Sequence, residues 1–190
     1  SKELETFLKK RDVEVLPLLS TQVKIEQHFV ELFGIRVGQT YRNNWVFLEA
    51  TTAAWEEVQL GQAVIVNEQL ARRTNLWVGD RVQITPNLKL PIAAVVGDYG
   101  NPKGQVIITE KLFQDINPGL FPDRFGVRTQ DASELRAQII DKIGIDDTAI
   151  IDQASIKAFS LEVFERTFLV TSALNILTLG VASFAILMSL

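Results

Sequence analysis

Apolar and polar positions alternate along this chain in patterns that change about every ten residues. Residues 1–11 place Leu4, Phe7 and Leu8 on one stripe, the spacing of a short helix. Residues 13–25 are rich in apolar and β-branched side chains and predict a strand, disturbed at Pro17. Glu26, Gln27 and His28 turn the chain into a second strand over 29–35. Gly34 and Gly38 bracket a loop, and 43–58, with Trp45 and Trp55, reads as short helical turns.

The middle is better punctuated. Residues 63–66 predict a strand, and Asn67 caps a helix over 68–74. Asn75 suits a left-handed stop. A turn at Val78, Gly79 and Asp80 leads into a strand over 81–85. Pro86 and Asn87 turn again into a strand over 88–96, where Pro91 points to an edge. A loop over 97–104 precedes a strand at 105–108, and Thr109 caps a helix ending near Ile116.

The last third reads β-α-β. A strand at 124–128 is followed by Asp131 and Glu134 at capping-box spacing. Leu135, Ile139 and Ile143 line one helix face, Gly144 stops the helix, and 148–151 predicts a closing strand. Asp152 then caps a helix carrying Ile156, Phe159, Val163 and Phe164. From 168 to 190 there is no charged residue, and Glu162, Glu165 and Arg166 are the last charges before it. About 20 such residues cross the hydrocarbon core of a bilayer, so the run predicts the start of a membrane span. A buried helix of a soluble protein is the alternative.

The fold class is therefore α+β. The early strand pair and the late β-α-β predict an outer α/β subdomain, 1–36 with 120–160. A β-rich subdomain, 37–119, is inserted in it, and 161–190 forms a stalk and the beginning of the span. With a further span before Ser1, both ends would point at one bilayer, pack antiparallel above it, and leave a loop domain between two membrane helices.

Composition narrows the function. The chain is 47% hydrophobic and 22% charged, enough apolar surface for a folded core. A net charge of −4 gives no basic groove, so no nucleic-acid partner is expected. There is no Cys, which removes disulfide frameworks and zinc ribbons.

Candidate chemistry is sparse. His28 is the single histidine and falls in a turn, where a solvated side chain is the ordinary reading. No G-x-S-x-G elbow and no H-E-x-x-H stands in the sequence. Gly97, Gly100 and Gly104 lack the G-K-[ST] ending of a phosphate loop, which leaves a glycine-punctuated loop between strands; its functional reading is contact with a partner. Asp146 and Asp147 read as a turn rather than a metal site. Trp45, Trp55 and Trp77 either line an apolar groove or pack the core. Arg72 and Arg73 read as a solvated helix face. No catalytic, cofactor or metal residue is assigned, and no enzyme activity is expected of the chain itself.

Three stretches carry a resemblance. VIVNEQLARRTNLWVGDRVQI, 64–84, resembles the strand–helix–GD–strand unit of MacB/FtsX-like ABC-transporter permeases, with Thr74–Asn75 near the family's usual Gly. The loop DYGNPKGQ, 98–105, resembles one in the ten-span subgroup that includes YbbP-like permeases. VFERTFLVTSALNILTLGVASFAILMSL, 163–190, resembles the helix leading into the family's membrane unit. The resemblance implies a porter-like outer subdomain and a periplasmic domain on a bacterial inner-membrane permease. It implies a cytoplasmic ABC ATPase subunit as partner, and a homodimer or paired permease half, the latter an alternative contact for the 97–104 loop. ATP-driven motion would be transmitted to a lipid, lipoprotein or peptide cargo, or to a periplasmic partner protein. A membrane-anchored periplasmic binding or adaptor domain is the alternative.

Overall fold

The computed structural model describes residues 2–11, 13–98 and 102–189; within α7 (Gln153–Ser189), the side chains of 153–160, 162, 167, 183–187 and 189 are not described, nor is that of residue 2. The chain forms two compact units, 1–130 and 131–190. The first begins with helix α1 (Lys2–Lys9) and a hairpin of β1 (Glu14–Ile25) and β2 (His28–Ile35). α2 (Gln39–Asn44), β3 (Phe47–Ala50) and α3 (Ala54–Gln59) follow, then β4 (Val64–Asn67) and α4 (Glu68–Thr74). β5 (Arg81–Thr85), β6 (Leu88–Val96), β7 (Gln105–Thr109), α5 (Glu110–Ile116) and β8 (Arg124–Arg128) complete it. The mixed sheet runs β3-β6-β4-β7-β2-β1-β8, with β5 paired to β6 beside this path. β2 with β7 and β4 with β6 are parallel, and the other pairings are antiparallel.

Strand periodicity sorts the core into two layers. Val64 and Val66 belong to one apolar cluster and Ile65 to the other, and the same alternation holds for Val106 and Ile108 against Ile107. Successive strand residues face opposite sides, so the clusters are the two faces of one sheet. One face is covered by Leu70 and Ala71 of α4, Phe113 of α5, and Val82 and Ile84 of β5. The other is covered by Ala54 and Val58 of α3 and by Tyr41, Trp45, Phe47 and Trp55. Gly34 allows the first layer to close: a Cβ there would lie 2.6 Å from Cβ of Phe113, well inside contact distance.

The hairpin turns at Glu26, whose φ of 52° is left-handed, and Ile25 pairs with His28. Pro17 is tolerated because β1 pairs only with β8 until Leu18, where pairing with β2 begins. Pro91 is accommodated in a similar way. β6 is an interior strand, not the edge its proline suggests, but Pro91 faces only Arg81 of β5, and pairing with β4 starts at Ile92.

Two further expectations are corrected. Residues 43–58 are not helical throughout, because Phe47–Ala50 pairs with 94–96 of β6 as a short edge strand. Its four residues are too few to show an alternation.

The second unit consists of α6 (Ala132–Ile143), a single 3-10 turn (Asp147–Ala149) and α7. The expected strand at 148–151 is instead this turn, because the Asp146 carboxylate accepts from Thr148 N and Oγ1 and coils the backbone. Asp131 caps α6 by accepting from Glu134 N at 2.8 Å. α7 begins directly after Asp152. Ile156 and Phe159 lie outside the described side chains, while Val163 and Phe164 are exposed. The uncharged run 168–190 falls in α7, with its side chains described through 182 and at 188. Among the described residues no helix is long and apolar enough to cross a membrane.

Candidate functional site

The pairings of the first unit assign its two ends. Glu14 at the start of β1 pairs with Arg128 at the end of β8, so the chain enters and leaves the sheet on adjacent strands at one end. Ile35 pairs with Thr109 at that same end. At the opposite end lie the hairpin turn, Asn67 and Gln105, since Glu31 pairs with Gln105.

A concavity lies at the end where the chain enters. It is an open cleft of about 730 Å³, lined by Val13, Glu14, Val37, Gly38, Gln39, Arg42, Glu56 and Gln59. Glu14 is committed to the fold. Its carboxylate accepts from Thr40 N at 3.2 Å and from Thr40 Oγ1 at 2.5 Å, holding the first turn of α2. A Cβ on Gly38 would overlap Glu14 Oε1, so only glycine lets the carboxylate reach that turn. Burial pushes the Glu14 pKa up, but the Thr40 and Gln39 donors and the Arg128 charge outweigh it and hold the carboxyl below its ordinary value. Burial, with Glu14 nearby, raises the Tyr41 phenol. Across the cleft, Arg42 donates to Glu56 Oε1 at 2.7 Å and to Gln59 Oε1 at 2.9 Å. The cleft thus presents amides and a neutralised Arg–Glu pair. Among the described residues it offers hydrogen bonds but no nucleophile with a base beside it.

Beside the cleft, Arg36 bridges two elements. It donates from Nη2 to Glu5 Oε1 at 2.8 Å, and from Nε to Glu110 Oε2 at 3.0 Å, tying α1 to α5. The hydrogen bonds from Arg36 and Lys9 hold the Glu5 carboxyl below its ordinary value.

The opposite end is organised by Asn67, which is fully buried. Its Oδ1 accepts from Leu70 N at 3.1 Å and Gln105 N at 2.9 Å, and its Nδ2 donates to Lys103 O at 2.8 Å. One side chain therefore caps α4 and fixes the end of the 97–104 loop. Arg73 donates to Pro102 O at 2.6 Å, so it braces that loop rather than only facing solvent, whereas Arg72 pairs with Glu68 one turn away. Lys103 pairs with Glu31 at 3.0 Å.

The structure separates the other residues singled out in the sequence. His28 lies half-buried at the hairpin turn. Gly97 and Gly104 flank the loop, while Gly100, with Tyr99 and Asn101, lies outside the described residues. Asp146 forms the 3-10 turn, and Asp147 pairs with Arg136 at 2.7 Å. Trp45 and Trp55 pack together, with ring centroids 5.9 Å apart, and Tyr41 and Phe47 flank them. Trp77 packs on the other face of the sheet and donates its Nε1–H to Glu49. The tryptophans are packing residues in two separate places rather than the wall of one groove. Among the described residues no group of three His, Asp or Glu side chains could hold a metal ion. Arg36 and Glu14 escape sequence reading, because each acts on partners distant in the chain and neither belongs to a spaced motif.

No protein-family model matches the chain, and no curated protein matches it in sequence. Solved structures do match in fold. The extracellular domain of the noncanonic ABC-type transporter YknZ from Gram-positive bacteria aligns with a TM-score of 0.53 at 13% identity, over 70% of this chain and 78% of that one. The periplasmic region of MacB from Actinobacillus actinomycetemcomitans aligns with a TM-score of 0.55 at 13% identity, over 73% of this chain and 69% of that one. The fold is that of these transporter domains.

Proposed function

We propose that the chain is the extracytoplasmic domain of a bacterial ABC-transporter permease of the MacB/FtsX type, in a membrane protein whose spans flank it. The observation that carries this reading is the pairing of Glu14 with Arg128. A domain inserted between two membrane helices must receive and return its chain at one end, and this sheet does so on neighbouring strands. The fold shared with YknZ and MacB domains supports the same reading.

The finer parts of the proposal follow. The run 168–190 begins a membrane span, supported by the exposed apolar side chains around α7, Phe168, Leu169, Ile176, Leu177 and Val181 among them. A helix apolar on every side needs lipid or other helices around it. A cytoplasmic ABC ATPase supplies the energy, and α1 and α7 carry the motion to the domain. The domain acts on a lipid, lipoprotein or peptide, or on a periplasmic partner, and works beside a second permease half. Its subgroup is the YbbP-like one, on the strength of the 98–105 loop. The outer part, 1–36 with 120–160, and the insert, 37–119, are its subdomains, supported by β1, β2 and β8 pairing among themselves at one side of the sheet. The chain itself is non-catalytic.

Purifying the full-length protein from its native membrane in mild detergent tests the reading. An ABC ATPase should co-purify in stoichiometric amount. A protein recovered with no ATPase would favour an anchored adaptor instead.

A further inference from the structure

The path of paired strands ends at β3 on one side and β8 on the other. β3 is four residues long, and its register slips between Phe47 and Glu49, an irregularity that bends and blunts an edge. β8 keeps an unbroken register with β1 over all five of its residues. Its outer side is open, because Gly126 in its middle is exposed and has only backbone to expose. The groups offered there follow from the hairpin. Glu26 and Gln27 are the loop residues, so Ile25 and His28 close it as a hydrogen-bonded pair. Bonded and unbonded pairs alternate along an antiparallel ladder, so Ile25, Val23, Thr21 and Leu19 turn their N–H and C=O groups to β2. The residues of the other parity, Leu18, Leu16 and Glu14, turn to β8 and meet Arg124, Gly126 and Arg128. Pro17 fits this parity, since the N–H it lacks would point away from β8. Phe125 and Val127 therefore direct their N–H and C=O groups outward, at the open edge.

The side chains add a chemical pattern. Arg124, Gly126 and Arg128 share one face of β8, and Phe125 and Val127, both half-buried, share the other. The Arg124 side chain is 70% exposed, and Asp123 stands 3.8 Å from its Nε, beyond hydrogen-bond length. Glu14, opposite Arg128, gives its carboxylate to Thr40. Both guanidinium groups keep donors for a further carboxylate. Gly126 is not required by its own unit. It holds no positive φ, and a Cβ there would meet Leu16 Cβ at 3.5 Å, an ordinary contact. It leaves a gap between the arginines that a large side chain from an added strand fills. Charge on an edge also guards it against self-pairing. If β8 paired antiparallel with another copy about Gly126, Arg124 of each would oppose Arg128 of the other, and like charges directly opposite destabilise. The charges that reject a second copy accept a strand with carboxylates in those places.

We propose that the outer edge of β8 docks an extended acidic segment of another protein. The segment adds antiparallel to the sheet as a further strand. Its carboxylates face Arg124 and Arg128, its apolar residues lie beside Phe125 and Val127, and a large side chain covers Gly126. This surface goes beyond the permease reading, which bears only on the side of the membrane where the segment is met.

The probe is an acetylated and amidated peptide, T-E-V-Y-V-E-T, titrated into the 190-residue chain in detergent micelles while amide hydrogen exchange is followed residue by residue. Before peptide is added, amides 125 and 127 should exchange faster than 124, 126 and 128. Saturating peptide should slow 125 and 127 selectively. The peptide T-K-V-Y-V-K-T should bind more weakly, although the chain carries a net charge of −4. T-E-P-Y-P-E-T, whose prolines lack the N–H groups that pair with the edge, should not bind. R124Q/R128Q should weaken the acidic peptide about fivefold, the sum of two exposed ion pairs. V127P should abolish binding and keep the β1 ladder, because the N–H it removes is an outward one. Should V127P unfold, R124Q/R128Q decides. The proposal is overturned if amides 125 and 127 of the free chain are as slow as their neighbours, because the edge is then already covered. It is overturned equally if the acidic peptide fails to slow them, if R124Q/R128Q binds it unchanged, or if the lysine peptide binds as tightly. The arginines would then be guards of the edge and nothing more. None of these results touches the permease reading, and a failed ATPase co-purification leaves the edge untouched.

Discussion

Asn67 and the Glu14–Gly38 pair each tie separate backbone segments of the first unit together. Asn67 satisfies two backbone donors and one carbonyl from a fully buried position. Asn67→Ala should lower unfolding free energy by about 3 kcal/mol in urea titration, since it removes a cap and strands buried groups. Gly38→Ala should cost about 2 kcal/mol, because the new Cβ displaces the Glu14 carboxylate from Thr40. The E14A/G38A pair should be less destabilised than the sum of its parts. Glu26 carries the opposite lesson. It holds a left-handed φ in an exposed turn, so Glu26→Gly should raise stability by about 1 kcal/mol in the same titration. Asn67 was legible as a helix cap from its place before an apolar-periodic segment. Its hold on the 97–104 loop was not, because that partner lies 36 residues away.

The acid response belongs to the same scale. Glu5 and Glu14 both have folded pKa values below the ordinary 4.5. Each binds its proton more readily unfolded than folded, so each contributes stability that is present in full above about 4.5. That contribution fades as pH falls through the lower folded values. Thermal midpoints measured from pH 7 down to pH 3 should therefore drop more steeply for the wild type than for E5Q/E14Q. Parallel curves would show that neither the Glu5 ion pair nor the Glu14–Thr40 hydrogen bonds matter to the fold.

At the scale of elements, caps and breakers were the readable signals. Asn67, Thr109 and Asp131 each accept the expected backbone N–H, and Asn75 adopts the left-handed stop. These are local interactions within four residues, so the sequence displays both partners. What it hid was set by contacts distant in the chain. Phe47–Ala50 becomes a strand only because β6 offers an edge, and Pro91 sits inside an interior strand because β4 starts pairing one residue later. α7 is the element with the largest unmet surface. Phe164, Phe168, Leu169, Ile176 and Leu179 are each more than half exposed. In water without detergent the 190-residue chain should associate, and light scattering after gel filtration should return a mass above one copy. A chain ending at residue 160 should elute as one copy. A clean monomer for the longer chain, with α7 helical, would contradict the assignment of α7 to a lipid or helix-packed environment.

For the whole molecule, the informative fact is where the chain enters and leaves the sheet. Sequence pattern predicted a strand at each of these points, β1 and β8, but not that they are neighbours. The adjacency of Glu14 and Arg128 is a long-range pairing with no sequence signal. It turns a mixed sheet into one that can be suspended from one side of a bilayer, with the hairpin turn and the 97–104 loop at its far end. The candidate site was less legible than the fold. The cleft is assembled from β1, α2 and α3, and no motif marks those elements as partners.

These 190 residues hold no cysteine, so labelling at one introduced here is read against the unsubstituted full-length protein. A single cysteine placed at Gln27, in the exposed hairpin turn, would be probed in intact cells carrying the full-length protein, with a membrane-impermeant maleimide. The account predicts rapid labelling at Gln27→Cys without permeabilising the inner membrane, as for a domain held outside the cytoplasm. Labelling that appears only after the inner membrane is opened would place the domain in the cytoplasm and contradict the account.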